Sequence, residues 1–287
     1  MKPAPFDYLR PDSVEEVLSA LAEYGDEARV IAGGQSLGAI LNMRIFTPKV
    51  LIDINGLADL AGIDVSRGAL ATGALVRQAD ALADARIRGQ VPLLAQALPH
   101  VGHYQTRNRG TLGGSVAHAD PSAEIPLVLA TLGGEVELRS KRRRRRVKAD
   151  AFFQSALVTA REPDELLTAL CWPTRTAGQG YEFEEFSVRA GDYAIVAVAC
   201  ATKADGSLGG IRLGFGGCGE KPQIVAIAGA TSRDPDAKTI DEIAHDAAAH
   251  IEYRSDLTAS ADYRRQLARV LAGRALQSAA AKEPADA

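Results

Sequence analysis

Two glycine-rich segments carry the residue types best suited to holding a phosphorylated ligand. The first reads Ala-Gly-Gly-Gln-Ser-Leu over residues 32–37, and the second reads Thr-Leu-Gly-Gly-Ser over residues 111–115. Glycine tolerates positive φ and lets backbone N–H groups approach a ligand, so such a segment can bind a pyrophosphate through several amides. Neither segment fits the Rossmann Gly-x-Gly-x-x-Gly motif or a Walker loop. Together they predict a flavin dinucleotide held by a different fold.

Polar residues around the second segment are suited to binding the hydroxyl groups of such a ligand. Thr111 and Ser115 flank the glycines, and Asp120 and Glu124 follow as hydrogen-bond acceptors. Glu124 has a second interpretation, because carboxylates are also favoured at helix N-termini. No catalytic triad or carboxylate pair stands out, and the nearby histidines lack the spacing of a metal site. This pattern is typical of a protein whose chemistry is supplied by its cofactor.

Short alternating elements are expected to position the first segment. Residues 30–32 predict a strand that enters it, and residues 37–44 predict a helix that leaves it. Ahead of them, Ser13 and Glu16 form a capping box for a helix that ends at Gly25. A further strand is expected just before the Asn55-Gly56 turn.

The chain around and beyond the second segment alternates between apolar runs and turn residues. Asp120 followed by Pro121 is a strong helix start, and that helix should reach about residue 132. The basic run 141–146 is expected at the solvated tip of a hairpin, with an acidic partner surface as the alternative. The other predicted elements are strands within 60–75, helices over 77–83 and 91–98, hairpin strands over 135–138 and 147–149, and a buried strand over 166–172.

Residues 174–180 are the best linker candidate, because they are short, polar and glycine-containing. They divide the chain into a first domain over 1–175, with subdomains of about 1–55 and 56–175, and a second over 176–287. The second domain reads as a small α+β unit with strands over 193–202 and 210–216, helices over 236–250 and 261–276, and a frayed tail over 277–287.

The composition is typical of a globular protein without membrane spans or iron–sulfur clusters of its own. The chain has 287 residues, 46% of them hydrophobic, which suffices for domains with real cores. No run approaches the ~20 apolar residues of a membrane helix, and the N-terminus lacks a signal-peptide pattern, so we expect a cytoplasmic protein. The net charge of −3 gives no reason to expect nucleic acid as a partner. Three scattered cysteines cannot ligate an iron–sulfur cluster, which needs four ligands.

Four strings carry a family resemblance, and they occur in the order 30–37, 108–115, 119–126 and 189–194. Their sequences are Val-Ile-Ala-Gly-Gly-Gln-Ser-Leu, Asn-Arg-Gly-Thr-Leu-Gly-Gly-Ser, Ala-Asp-Pro-Ser-Ala-Glu-Ile-Pro and Arg-Ala-Gly-Asp-Tyr-Ala. Together they closely resemble the FAD-binding medium subunit of the molybdenum hydroxylases, the family of carbon monoxide dehydrogenase and xanthine dehydrogenase. The resemblance spans nearly the whole chain.

The resemblance implies an α+β fold of the vanillyl-alcohol-oxidase (PCMH) type. FAD then lies between two α+β subdomains, and a small C-terminal α+β domain follows. The first segment would wrap the pyrophosphate, the second would contact pyrophosphate and ribityl from the other side, and Tyr193 would cover the flavin ring. The implied cofactor-binding residues are Ile31, Ala32, Gly33, Gly34, Gln35, Ser36, Leu37, Val101, Thr111, Gly113, Gly114, Ser115, Asp120, Glu124, Leu167, Asp192 and Tyr193.

Several of these residues have a purely structural interpretation as well. Val101 and Leu167 could be ordinary core residues, Tyr193 could pack in a strand, and Asp192 could cap a turn. In one departure, Glu184-Glu185 occupies positions where family members often carry a lysine. Carboxylates near the flavin could lower its potential, or they could face solvent.

The resemblance also implies a role and partners. A large molybdopterin subunit would hydroxylate the substrate, and a small subunit with two [2Fe–2S] clusters would pass electrons to a noncovalent FAD on this chain. The flavin would then reduce an external acceptor such as NAD, a quinone, a cytochrome or dioxygen, in a complex built as a dimer of heterotrimers. One alternative is a self-sufficient reductase of the same fold, which typically has Ile-Pro-Gly where this chain has Arg-Gly-Thr at 109–111. The other is an assembly scaffold without flavin.

Overall fold

The chain folds into three β-sheets, a short two-stranded hairpin and eleven α-helices within the residues that the structure, a computed structural model, describes. Those residues are 1–66, 68–202, 210–227 and 236–281. The predicted α+β class is confirmed. Over these ranges, no helix is both long and apolar enough to cross a membrane.

The first unit is a parallel three-stranded sheet in the order β1-β3-β2, with one long helix packed on it. Ser13 Oγ accepts a hydrogen bond from the Glu16 amide at 3.2 Å, and the Glu16 carboxylate accepts one from the Asp12 amide, so the predicted cap forms. The apolar side of that helix buries Val17 against Ile52 of the sheet. The elements are β1 (Asp7–Leu9), α1 (Val14–Tyr24), β2 (Ala28–Ile31), α2 (Leu37–Asn42) and β3 (Val50–Asp53).

The second unit is an antiparallel five-stranded sheet in the order β4-β5-β10-β6-β7, covered by short helices. Its central helix, α8, is buried along nearly its whole length. The elements are β4 (Ile63–Ser66), β5 (Ala69–Gly73), α3 (Gln78–Ala83), α4 (Ala85–Gln90), α5 (Pro92–Ala97), α6 (Tyr104–Arg109), α7 (Leu112–His118), α8 (Glu124–Leu132), β6 (Glu135–Arg139), β7 (Arg144–Lys148), α9 (Ala149–Phe152), β8 (Phe153–Ser155), β9 (Val158–Thr159) and β10 (Leu166–Pro173).

The third unit is an antiparallel sheet in the order β11-β12-β13-β14 with two helices on one face. On β12, Val196 and Val198 pack in the core beneath these helices, whereas Ala197 and Ala199 pack in the core of the second unit. The sheet is therefore a wall shared by two cores. The elements are β11 (Tyr181–Phe186), β12 (Val196–Ala201), β13 (Ile211–Gly216), β14 (Gln223–Ile227), α10 (Ala237–Ala249) and α11 (Ala261–Ala281).

Helix boundaries near the second glycine segment differ from the sequence prediction. Thr111 caps α7, so this segment forms the first turn of a helix and is not a loop. Helix α8 begins at Glu124 and not directly after Asp120. The Asp120 carboxylate accepts a hydrogen bond from the Ser122 amide at 2.8 Å and so closes a turn before the helix. Helices α4, α6 and α7 were not predicted. Helix α11 extends through 277–281, part of the expected tail, and 282–287 lie outside the described residues.

The basic run was placed wrongly in part, because only residues 141–143 lie at the hairpin tip. Arg144, Arg145 and Arg146 belong to β7. Arg145 donates two hydrogen bonds of 2.7 Å to the fully buried Glu165, and Arg144 donates one of 2.7 Å to Glu137. Much of the run is therefore neutralised by carboxylates of its own sheet.

Candidate functional site

A cleft of about 770 Å³ is bordered by the first glycine segment, the start of α7 and the turn before β12. It draws side chains from all three units, as expected for a ligand held between domains. Ile31 lies outside the cleft, at the end of β2, where its carbonyl accepts a hydrogen bond from the Ile54 amide at 3.1 Å. The predicted residues that line the cleft are Ala32, Gly33, Gly34, Gln35, Ser36, Leu37, Val101, Thr111, Gly113, Gly114, Ser115, Asp120, Glu124, Leu167, Asp192 and Tyr193.

The first glycine segment presents free backbone donors to the cleft. It connects β2 to α2, and Gly34 adopts a φ of 70° that favours glycine. Among the described residues, none accepts a hydrogen bond from the amides of residues 33–37. Buried or half-buried amides normally have partners, so this row of donors is suited to an anionic ligand.

Gly33 is required by close packing against the segment before the second glycine pair. A Cβ atom at residue 33 would lie 2.8 Å from the carbonyl carbon of Arg109 and 2.9 Å from the Cα of Gly110. Real Cβ contacts are longer than this, so a larger residue would force the two segments apart. The glycine therefore fixes the distance between the two sides of the cleft.

A polar network fastens these two sides together. Asn55 donates from Nδ2 to the Ala32 carbonyl at 2.8 Å, and Arg77 donates to Asn55 Oδ1 at 2.7 Å and to the Arg109 carbonyl. Sequence reasoning assigned Asn55 to a turn and missed Arg77, because the contact joins residues far apart in sequence. The network holds the first segment at a set distance from the second.

The second glycine segment uses its amides within the protein. The Leu112 amide donates to the Val76 carbonyl at 2.9 Å and the Gly113 amide to the Ala74 carbonyl at 3.1 Å. The Gly114 amide donates to Thr111 Oγ1 at 2.9 Å. Unlike the first segment, this one has no row of free amides, so side chains are left as its polar contacts to a ligand.

Acidic residues and a tyrosine line the side of the cleft near α8. Glu124 is only 5% exposed, and burial, reinforced by the charge of Asp120, raises its pKa to about 7. Tyr193 is 57% exposed at the cleft mouth. Partial burial and the Asp120 charge raise the pKa of its hydroxyl, while a side-chain hydrogen bond with Ser36 acts in the opposite direction. Tyr193 thus spans from the third unit to the first glycine segment.

The remaining predicted residues lie at the cleft and also serve the packing or the turn structure around it. Val101 and Leu167 are buried in the core and also reach the cleft wall. Leu167 adjoins a β-bulge in the pairing of β10 with β6, a feature often found beside functional sites. The Asp192 amide donates to the Arg189 carbonyl at 3.0 Å and closes the turn that carries Tyr193.

One end of the cleft is cationic and apolar, which the sequence did not signal. The Arg29 guanidinium lies 4.0 Å from the centre of the Phe46 ring, a cation–π contact. Arg161 also lines this end and donates to the Glu162 and Glu165 carbonyls at 2.9 Å and 2.8 Å. Burial lowers the pKa of both guanidinium groups. This end is suited to a flat ring attached to a phosphate.

The site fits FAD on three observations. Free amides at residues 33–37 provide an anion cradle, the far end provides a cation and an aromatic ring, and Gln78 Oε1 at the cleft is buried without a hydrogen-bond partner. An orphaned buried acceptor is a place where a ligand donor belongs. Within the described residues, no three His, Cys, Asp or Glu side chains gather in a group able to hold a metal ion.

Comparisons with known proteins agree on the family. Residues 4–175 match the FAD binding domain in molybdopterin dehydrogenase, and residues 181–279 match the CO dehydrogenase flavoprotein C-terminal domain. The chain is 38% identical to the 6-hydroxypseudooxynicotine dehydrogenase complex subunit alpha of Paenarthrobacter nicotinovorans, over 97% of this chain and 96% of that one. It is 32% identical to the carbon monoxide dehydrogenase medium chain of Afipia carboxidovorans, over 98% and 99%.

Solved structures share the fold over the whole chain. Carbon monoxide dehydrogenase from Hydrogenophaga pseudoflava superposes with a TM-score of 0.91 at 30% identity, covering 97% of this chain and 98% of that one. Quinoline 2-oxidoreductase from Pseudomonas putida 86 gives 0.90 at 35% identity, covering 98% of each. With its FAD-binding domain and its C-terminal flavoprotein domain, this chain belongs to the FAD-binding medium subunits of the molybdenum hydroxylases, a family of oxidoreductase subunits.

Proposed function

We propose that this chain is the electron-transfer subunit of a molybdenum hydroxylase complex, taking electrons from [2Fe–2S] clusters of a partner and passing them to an external acceptor. One observation carries most of the proposal: the free amides of residues 33–37 face a cleft that is lined by all three units. The flavin supplies the chemistry, since it can accept electrons singly and release them singly or in pairs. The chain's own residues bind and orient it.

The cleft geometry supports the predicted cofactor contacts. The amides of residues 33–37 would hold the pyrophosphate, and Thr111, Ser115, Asp120 and Glu124 would contact hydroxyl groups of the ligand. Val101 and Leu167 would flank the ligand as apolar walls. Ile31 acts indirectly, because its side chain lies 3.3 Å from the position of a Cβ at Gly34 and so supports the turn.

Tyr193 would cover the ring system on the side of the third unit. Its turn is fixed by the Asp192 amide, and its ring is exposed at the cleft mouth. An aromatic ring at the cleft mouth would shield the flavin from solvent on that side. This arrangement supports electron transfer to the external acceptor at the mouth of the cleft.

The small number of cysteines in this chain supports the proposed partners. Its three cysteines are Cys171, Cys200 and Cys218, and all are free and buried. A [2Fe–2S] cluster needs four ligands, so the clusters would lie on a small partner subunit and the molybdopterin on a large one. A dimer of such heterotrimers is the proposed assembly. We also propose a division into a FAD-binding domain over 1–175 and a C-terminal domain over 176–287.

Affinity purification of the complex through a tag on this chain tests the proposal. The expected result is co-purification of a molybdopterin subunit and a [2Fe–2S] subunit, together with one FAD per chain that denaturation releases completely. Flavin retained on the unfolded polypeptide would contradict noncovalent binding. Turnover of a substrate by the chain alone would favour a self-sufficient reductase, and purified protein without flavin absorbance would favour a scaffold.

A further inference from the structure

Glu185 points toward the second unit and not toward the outer helices. In the β11–β12 register it lies opposite Ala197, and directly paired residues of an antiparallel sheet project from the same face. Ala197 packs in the core of the second unit, so Glu185 faces that unit. Its neighbour Glu184 lies opposite Val198 and faces the layer of α10 and α11. The two adjacent carboxylates therefore have different surroundings.

Glu185 has no polar partner for one of its oxygens. Oε2 is buried and makes no hydrogen bond with any described residue. The charged group that acts on it is Glu124, which starts α8 and forms part of the cleft wall. Burial and then the Glu124 charge raise the pKa of Glu185 to about 8, and burial raises that of Glu124 to about 7. Glu124 on the second unit and the partly buried Glu185 on the third are thus two carboxyl groups whose charges repel each other.

The cations near this pair, as far as the described residues show, are engaged elsewhere. Arg254 donates to Ser122 Oγ at 3.4 Å and pairs with Asp256 at 3.6 Å, and Arg212 donates to the Thr131 and Ala130 carbonyls of α8. Arg264 of α11 is committed to the Ile195 and Gly217 carbonyls at 2.6 Å and 2.7 Å. Helix α5, which packs against β11, carries no charged residue. The other titratable groups nearby are His100, His118, Asp120 and Tyr193. Burial lowers the pKa of both histidines, and the His100 ring packs on Phe183.

We propose that Glu124, in the wall of the cleft, and Glu185 of β11 together bind a proton and that FAD binding takes this proton up from solvent. The inference rests on the proposed flavin site. The pyrophosphate would bring two negative charges into a cleft that Asp120 and Glu124 also line. Neutralising a carboxylate there removes a repulsion, and a protonated carboxyl gains an O–H donor for the ligand. In balance, FAD, the carboxylate and one solvent proton give the FAD complex with a carboxylic acid.

The proton linkage has a definite sign. Well below about pH 6 the pair is protonated with or without FAD, so affinity does not depend on pH. As pH rises from about 7 to about 9, the free chain loses the proton that the complex retains, and affinity falls by up to about tenfold per pH unit for one proton. Glu185→Gln removes the carboxyl group whose pKa burial and the Glu124 charge raise, and so removes one of the two groups that can hold the proton.

The test is a titration of the full-length, FAD-stripped chain with FAD, followed by flavin fluorescence between about pH 6 and about pH 9. Calorimetry in two buffers of different ionisation enthalpy counts the protons taken up. The wild-type chain should take up a proton on binding FAD between about pH 7 and about pH 9 and should lose affinity over the same range. Glu185→Gln should bind FAD with a flatter profile and a smaller proton count, and the matched control Glu184→Gln should behave as the wild type.

Three results would overturn the inference: a flat wild-type profile, a proton count of zero, or an unchanged slope in Glu185→Gln. The wild-type proton count keeps the test valid even if the variant folds poorly. A chain that binds no FAD at any pH would instead overturn the proposed flavin site, and with it this inference. The two failures are therefore distinguishable.

Discussion

Replacing Gly33 with alanine closes the space between the two sides of the cleft. The new Cβ would lie 2.8 Å from the Arg109 carbonyl carbon and 2.9 Å from Gly110 Cα, and closer still to the Arg109 oxygen. These are backbone atoms, and Arg77 holds the Arg109 carbonyl in place, so relief requires movement of the glycine segment itself. Overpacking of this kind costs about 1–3 kcal/mol. If the strain falls on the FAD-bound form, the affinity for FAD drops by roughly 5- to 150-fold.

Fluorescence titration of FAD-stripped Gly33→Ala measures this loss, and thermal unfolding shows whether the strain is released in the free chain. The matched control is Gly38→Ala, because that position lies in α2 with no atom within 4 Å of an added Cβ. Alanine there should leave FAD affinity unchanged and stabilise the helix by about 0.5–1 kcal/mol. Wild-type affinity and stability in Gly33→Ala, or an equal loss in Gly38→Ala, would refute the reasoning.

Three further predictions concern the supports of the cleft. Arg77→Met removes charged hydrogen bonds to Asn55 and to the Arg109 carbonyl, so FAD affinity should fall about tenfold or more in the same titration. The control is Arg86→Met, which removes a half-exposed ion pair with Asp84 and should have little effect on FAD affinity. Glu165→Ala leaves Arg145 without its buried partner and should lower the free energy of unfolding by about 3–5 kcal/mol in urea; an effect below about 1 kcal/mol would show that the pair is dispensable. The folded chain raises the pKa of Glu124 from 4.5 to about 7, so its contribution to stability is fully present below about pH 4.5 and declines as pH rises to about 7. Glu124→Gln should accordingly be more stable than the FAD-stripped wild type at about pH 8, by up to about 3 kcal/mol in urea unfolding. Equal free energies of unfolding for the two proteins at this pH would contradict the prediction.

The first glycine segment was predictable because its signals are local. A short β-branched run, two glycines and a following helix are neighbours in sequence, and the structure places β2 and α2 on either side of them. The capping box at Ser13 is equally local. Where the chemistry and the backbone conformation are set within a few residues, sequence reasoning succeeds.

The second segment shows where such reasoning fails. Its Gly-Gly pair suggested a loop, yet Thr111 caps a helix there and the Gly113 amide is bonded to Ala74. The Arg77 network joins residues from four separate parts of the chain, and the orientation of Glu185 depends on strand register. These features arise from tertiary packing, which propensity and local pattern do not encode.

The most direct test of the account is photoreduction of FAD in the intact complex, with EDTA as electron donor, while electron paramagnetic resonance reports the partner's [2Fe–2S] clusters. We expect the cluster signal to appear in the FAD-loaded complex, to be absent after FAD is stripped, and to return when FAD is restored. Reduced flavin without any cluster signal, or an equal signal from the FAD-free complex, would contradict the claim that this chain connects the clusters to an external acceptor.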